Sequence, residues 1–167
     1  PWRGPDRALW SSSLTAEQFA ARVRSIRAEI AAGSFYQVNL TRRLSAALAP
    51  DASIPALGAA LAEGNPAPFS AVLHLPDQGV HVASASPELF LARRGEVVWS
   101  SPIKGTAATP DAFLPKDAAE NVMIVDLVRN DLGRVCRWGS VTVPNLLGVE
   151  HHPGLVHLVS TVEGRLR

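Results

Sequence analysis

Lys116-Asp117-Ala118-Ala119-Glu120-Asn121-Val122-Met123-Ile124-Val125-Asp126-Leu127-Val128-Arg129-Asn130 is the stretch whose reading decides the fold. Its apolar residues crowd at helical spacing, so the pattern predicts a helix buried on much of its surface. Asp117 and Glu120 fall in its first turn, where carboxylates suit the positive end of the helix dipole. To either side the period changes to that of strands. Upstream run Ser70 to Leu75, the turn Pro76-Asp77-Gln78-Gly79, Val80 to Ser84, Glu88 to Ala92, the turn Arg93-Arg94-Gly95-Glu96 and Val97 to Ser101, which read as one antiparallel meander. Downstream, Ser140 to Val149 and Val156 to Leu166 form a second β-rich stretch, divided at His151-His152-Pro153-Gly154.

Nearer the N-terminus, Thr15 and Gln18 make a capping box ahead of Phe19, Val23, Ile26 and Ile30, an apolar stripe that ends at Gly33. Ser34 to Leu44 alternates Phe35, Gln37 and Asn39 with Tyr36, Val38 and Leu40, the pattern of a strand with two differently used faces. Residues 46 to 62 suit one or two short helices interrupted by Pro50 and Pro55.

The composition narrows the function classes. The 167 residues are 47% hydrophobic and 19% charged with a formal net charge of +1, values of a globular chain and not of a disordered tail or a nucleic-acid-binding arm. No apolar run approaches the roughly 18 residues that span a bilayer, and Pro1 to Ser13 lacks the apolar core of a signal peptide. Cys136 is the single cysteine, so no intramolecular disulfide forms and a reducing, cytoplasmic setting is expected. The chain begins at Pro1 without a methionine and stops at Arg167 inside a strand-like run, so residues 1–167 are expected to be an excerpt of a longer domain.

Several residues carry chemistry on their own terms. Lys104 is expected at a strand end beside Gly105, where close backbone approach to a ligand is possible, and a lysine whose pKa is lowered there is a nucleophile; an ordinary turn lysine is the plain alternative. Glu88 precedes the apolar Leu89-Phe90-Leu91, where burial near a core would favour the protonated carboxyl that a general acid needs. Asp117 and Glu120 stand three apart on one helix face and can present oxygens to magnesium, or simply cap the helix. A lone His157 on an apolar strand is most often a core residue. Gln37 by itself suits a strand residue satisfying backbone groups. His151 and His152 lack metal-ligand spacing and read as surface residues.

Five segments, in order, resemble the chorismate-binding enzyme family: Tyr36-Gln37-Val38-Asn39-Leu40, Ser86-Pro87-Glu88-Leu89-Phe90, Pro102-Ile103-Lys104-Gly105-Thr106, Ala119 through Asp131, and His157-Leu158-Val159-Ser160. The resemblance implies an α+β fold in which antiparallel sheets pack face to face with outer helices and the site lies between them. It implies catalytic roles for Lys104, Glu88 and His157, substrate contacts from Gln37, Gly105 and Thr106, and Mg²⁺ bound by Glu120, with Asp117 a weaker candidate. A lysine before Gly-Thr resembles the aminodeoxychorismate synthase branch, whereas anthranilate, isochorismate and salicylate synthases usually carry alanine there. Gln37 points the same way, because isochorismate and salicylate synthases typically place a basic lysine at that position and glutamine cannot accept a proton. The implied reaction is amination of chorismate with ammonia from a glutaminase partner; the rivals are anthranilate synthase component I and a non-catalytic remnant that binds a glutaminase. Two departures stand out: Ala107 to Pro115 is short and lacks arginine, and the family's C-terminal carboxylate-binding loop and second magnesium glutamate lie beyond Arg167. The isolated chain is therefore expected to be inactive.

Overall fold

The computed structural model describes residues 2–167, which divide into two compact units, one ending at Ala60 and the other Leu61–Arg167. The first unit holds β1 (Ser11–Ser12), α1 (Ala16–Ala31) and β2 (Leu44–Ser45). The predicted capping box is present in full. Gln18 N–H donates to Thr15 Oγ1 and the Thr15 N–H to Gln18 Oε1, which satisfies two of the amides that a helix start leaves free.

The expected strand over Ser34 to Leu44 does not form. Strand structure needs a partner for its ladder, and only Leu44 and Ser45 find one, opposite Ser12 and Ser11. Residues 46–53 are likewise not helical. Helix α2 (Ile54–Gly64) starts only where Pro55 falls in its first turn, the position at which a missing N–H costs nothing.

In the second unit, β3 (Phe69–Leu75) and β4 (Val80–Ser86) pair as an antiparallel hairpin around a tight turn at Pro76–Gln78. The predicted meander is interrupted after β4. Pro87 has no N–H to offer a ladder, and β5 (Leu89–Arg94) belongs to a different sheet, of five strands, with β6 (Val97–Ser101), β7 (Ile103–Ala107), β8 (Thr142–His152) and β9 (Leu155–Arg165). At the centre lies β9. It pairs with β8 along one edge and with β6 and then β7 along the other. Pro102, which cannot donate, separates β6 from β7, and its carbonyl accepts from the Ser160 amide.

Helix α3 (Pro115–Gly133) packs on β9 and β7. Proline at its first position suits the free amide end. Only one stripe is buried, through Asn121, Val125 and Leu132, so the helix is less enclosed than its sequence suggests. Val122 on the outer side remains 42% exposed. The apolar core joins Val125 and Leu132 of α3 to Val98 of β6, Val162 of β9 and Cys136. Each such burial contributes on the order of 1.5–3 kcal/mol relative to exposure, enough to fix α3 on the sheet. The outcome is an α+β architecture of helices and antiparallel sheets.

Candidate functional site

The site begins with an irregularity in β7. Ile103 pairs with Val159 and Thr106 with His157, so Lys104 and Gly105 together oppose the single residue Leu158. This is a β-bulge, a device that re-aims a side chain out of the regular alternation. Lys104 was expected at a strand end; it lies inside β7, half-buried, at the bulge. Gly105 takes φ 92°, and a Cβ there would meet Asp117 Cβ at 2.9 Å and Leu158 Cδ1 at 3.2 Å. The close approach that glycine permits is thus to the start of α3, which brings the acidic first turn against the bulge.

Thr106 and His157 face each other across β7 and β9, with Thr106 Oγ1 2.9 Å from His157 Nδ1. That contact orients the ring and leaves Nε2 as its other functional edge. The ring of His152 stands edge-on to His157, centroids 4.9 Å apart, and its buried Nε2 lies 3.8 Å from Glu150 Oε2. His152 is therefore half-buried against His157 and is not the surface residue expected from its turn. Both histidines line a cavity of about 340 Å³ with Asn65, Ala85, Pro87 and Leu155.

Glu88 is exposed in the turn before β5, so the burial expected to favour its protonated form is missing. Its Oε1 instead accepts from the Ile103 amide at 2.8 Å, which ties the carboxyl to the residue just before Lys104. Asp117 Oδ2 accepts from the Leu114 amide at 2.7 Å and caps α3, leaving one oxygen uncommitted. Glu120 is exposed one turn further on. No cluster of three acidic, histidine or cysteine side chains able to hold a metal occurs among the described residues. Gln37 lies in the first unit, outside any strand, and its Oε1 is buried without a hydrogen-bond partner.

Two residues that carry the site's geometry were not singled out from sequence. Asn121 and Ser160 are almost wholly buried, at 1% and 0% exposure. Asn121 Nδ2 donates to Leu158 O at 3.0 Å and to Lys104 O at 3.4 Å, Ser160 Oγ donates to Asn121 Oδ1, and the Leu147 amide donates to Ser160 Oγ at 2.9 Å. The signal that could have found them is a polar residue at a core position: Asn121 sits four residues before Val125 on the buried stripe.

The sequence profile of the chorismate binding enzyme family matches residues 3–167. The chain belongs to this family. It is 43% identical, over 97% of its length, to anthranilate synthase component 1 1 of Haloarcula marismortui, and 42% identical, over 94%, to aminodeoxychorismate synthase component 1 of Escherichia coli. Its fold matches the crystal structure of anthranilate synthase component I from Streptococcus pneumoniae with a TM-score of 0.78 at 29% identity, covering 95% of this chain and 36% of that one. The chain spans about a third of its curated relatives, 35% of the Haloarcula protein and 36% of the Escherichia coli protein. Within the chorismate binding family the two named activities are equally similar to it, so overall identity does not choose between them. No helix among the described residues is long and apolar enough to cross a membrane.

Proposed function

We propose that this chain acts in the amination of chorismate to 4-amino-4-deoxychorismate, the step that leads to p-aminobenzoate and folate, as aminodeoxychorismate synthase component I. The observation that carries the reading is Lys104, a primary amine at the β-bulge of β7 where anthranilate synthases usually have alanine. Relatives named aminodeoxychorismate synthase component 1, at 42–43% identity in Escherichia coli and Klebsiella aerogenes, support it.

In this reading the free Lys104 amine adds at C2 of chorismate, the ring double bonds shift, and the C4 hydroxyl departs as water. Glu88 supplies the proton for that departure. Its Oε1 accepts from the amide of Ile103, the chain neighbour of Lys104, which leaves Oε2 as the oxygen free to act on the substrate. Ammonia then adds at C4 and expels the lysine, which regenerates the enzyme. His157, oriented by Thr106, contributes Nε2 to hydrogen bonding or proton transfer at the substrate. Gly105 and Thr106, beside Lys104 in β7, contact the substrate.

The cofactor is Mg²⁺. The donor set fits such an ion, because magnesium is commonly held by one or two carboxylates with substrate and water completing its shell. Glu120 would hold it, with the free oxygen of Asp117 as an accessory ligand. When bound, the cation supplies positive charge for the substrate carboxylate. Ammonia comes from a glutamine amidotransferase subunit or domain, and the setting is the cytoplasm, which the single cysteine suits.

The test is a product assay of the full-length gene product with chorismate, Mg²⁺ and ammonia. The reading expects aminodeoxychorismate without anthranilate. Anthranilate together with pyruvate would assign the chain to anthranilate synthase component I instead.

A further inference from the structure

The hairpin of β3 and β4 presents a pair of side chains that the chorismate site does not use. His74 and His81 are direct cross-strand partners, the second rung from the turn, and both are exposed. Their Nδ1 atoms lie 2.9 Å apart, with ring centroids 4.6 Å apart and the planes tilted by 35°. We propose that His74 and His81 form a two-imidazole site for a divalent transition-metal cation that prefers cis nitrogen ligands, with copper(II) the best fit.

Three physical points carry this. Imidazole nitrogen is a preferred donor for late first-row divalent metals, and either ring nitrogen can serve. The spacing also selects a coordination geometry: two nitrogens 2.9 Å apart, each about 2.05 Å from one cation, subtend an angle of about 90° there. That is the cis angle of the tetragonal geometry favoured by copper(II), whereas a tetrahedral zinc ion would need the nitrogens about 3.3 Å apart at the same bond length. Finally, the strands that carry the donors are paired beforehand. The turn at Pro76–Gln78, closed by Gly79 at φ 63°, fixes the register of all seven rungs of the hairpin, so the two backbones are held opposite each other and only the imidazole side-chain torsions remain to be ordered on binding. Water or an external ligand fills the remaining positions. Without a cation, one ring must donate to the other, a single hydrogen bond in competition with water.

The chain offers other imidazoles at His151, His152 and His157, so the test must locate the ion. The experiment titrates the full-length gene product with copper(II) alone, reading saturation by equilibrium dialysis and nitrogen coordination by electron paramagnetic resonance. Parallel titrations use His74→Gln, His81→Gln and His151→Ala, with circular dichroism to check folding. The expected result is one saturable copper site with splittings from two imidazole nitrogens. Either hairpin variant should weaken it at least about tenfold, because the second donor of a chelate binds intramolecularly. His151→Ala should leave it unchanged, and zinc should bind more weakly than copper. Copper affinity equal in wild type and both hairpin variants would place the ion elsewhere and overturn the proposal, as would a wild-type chain with no saturable site or one that binds zinc as tightly as copper. Metal binding at the hairpin is measured without chorismate, so the outcome is independent of the proposed amination.

Discussion

Ser160 Oγ donates to Asn121 Oδ1 across 39 residues of chain, and neither side chain is more than 1% exposed. This bond joins β9 to α3 at the level of the bulge. Through Nδ2, Asn121 also holds the carbonyls of Leu158 and Lys104, so one buried amide sets the height of the helix over both strands of the candidate site.

Removing either member should therefore cost more than an ordinary hydrogen bond. Asn121→Leu keeps volume but leaves the Ser160 hydroxyl proton without its acceptor and takes a donor from two carbonyls, and Ser160→Ala strands the Leu147 amide. Each should destabilise the chain by about 1–3 kcal/mol, the penalty of an unpaired buried polar group. Urea unfolding midpoints check this. A midpoint unchanged in both variants would show that water satisfies the freed groups.

Gly105→Ala should be harmful for two additive reasons. Its φ of 92° is strained for any residue with a Cβ, and that Cβ would press on Asp117 Cβ at 2.9 Å, where no flexible chain end can yield. The expected loss is about 2–4 kcal/mol, combining backbone strain with overpacking. Thermal unfolding should show a clear fall in Tm. Substituting Gly95, which has φ 60° but nothing within 4 Å of its missing Cβ, should cost less.

These two sites mark where sequence reading succeeded and where it stopped. The hairpin turns, the capping box at Thr15 and the helix around Val125 were legible, because turn chemistry, caps and 3.6-residue spacing are local. The chorismate-binding family was legible from five short segments. The Ser34 to Leu44 strand was misread because alternation says nothing about whether a partner edge exists. Glu88 was misplaced for a related reason: its apolar neighbours enter β5, while its own side chain turns back to the Ile103 amide. The bulge at Lys104 and the Asn121–Ser160 bond depend on residues brought together from 39 to 56 positions apart, and no local pattern records them.

Asp117 and Glu120, the two acidic residues at the start of α3, should separate in their metal dependence. Glu120→Gln keeps size but removes an exposed charge suited to a hard cation, so the Mg²⁺ concentration for half-maximal activity of the full-length gene product should rise at least about tenfold. Asp117→Asn preserves an acceptor for the Leu114 amide and should shift that concentration less. Equal titrations for wild type and Glu120→Gln would leave Glu120 as a helix-start carboxylate and nothing more.

Lys104 as the nucleophile is the claim on which the proposed chemistry rests. The most direct measurement is peptide mass mapping of the full-length gene product, quenched with acid during turnover of chorismate with Mg²⁺ in the absence of ammonia. The account predicts an adduct of chorismate less water on the peptide that contains Lys104, absent from Lys104→Met, a variant that removes the amine with little change in volume. An adduct that persists in Lys104→Met, or aminodeoxychorismate formed by that variant at the wild-type rate, would contradict it.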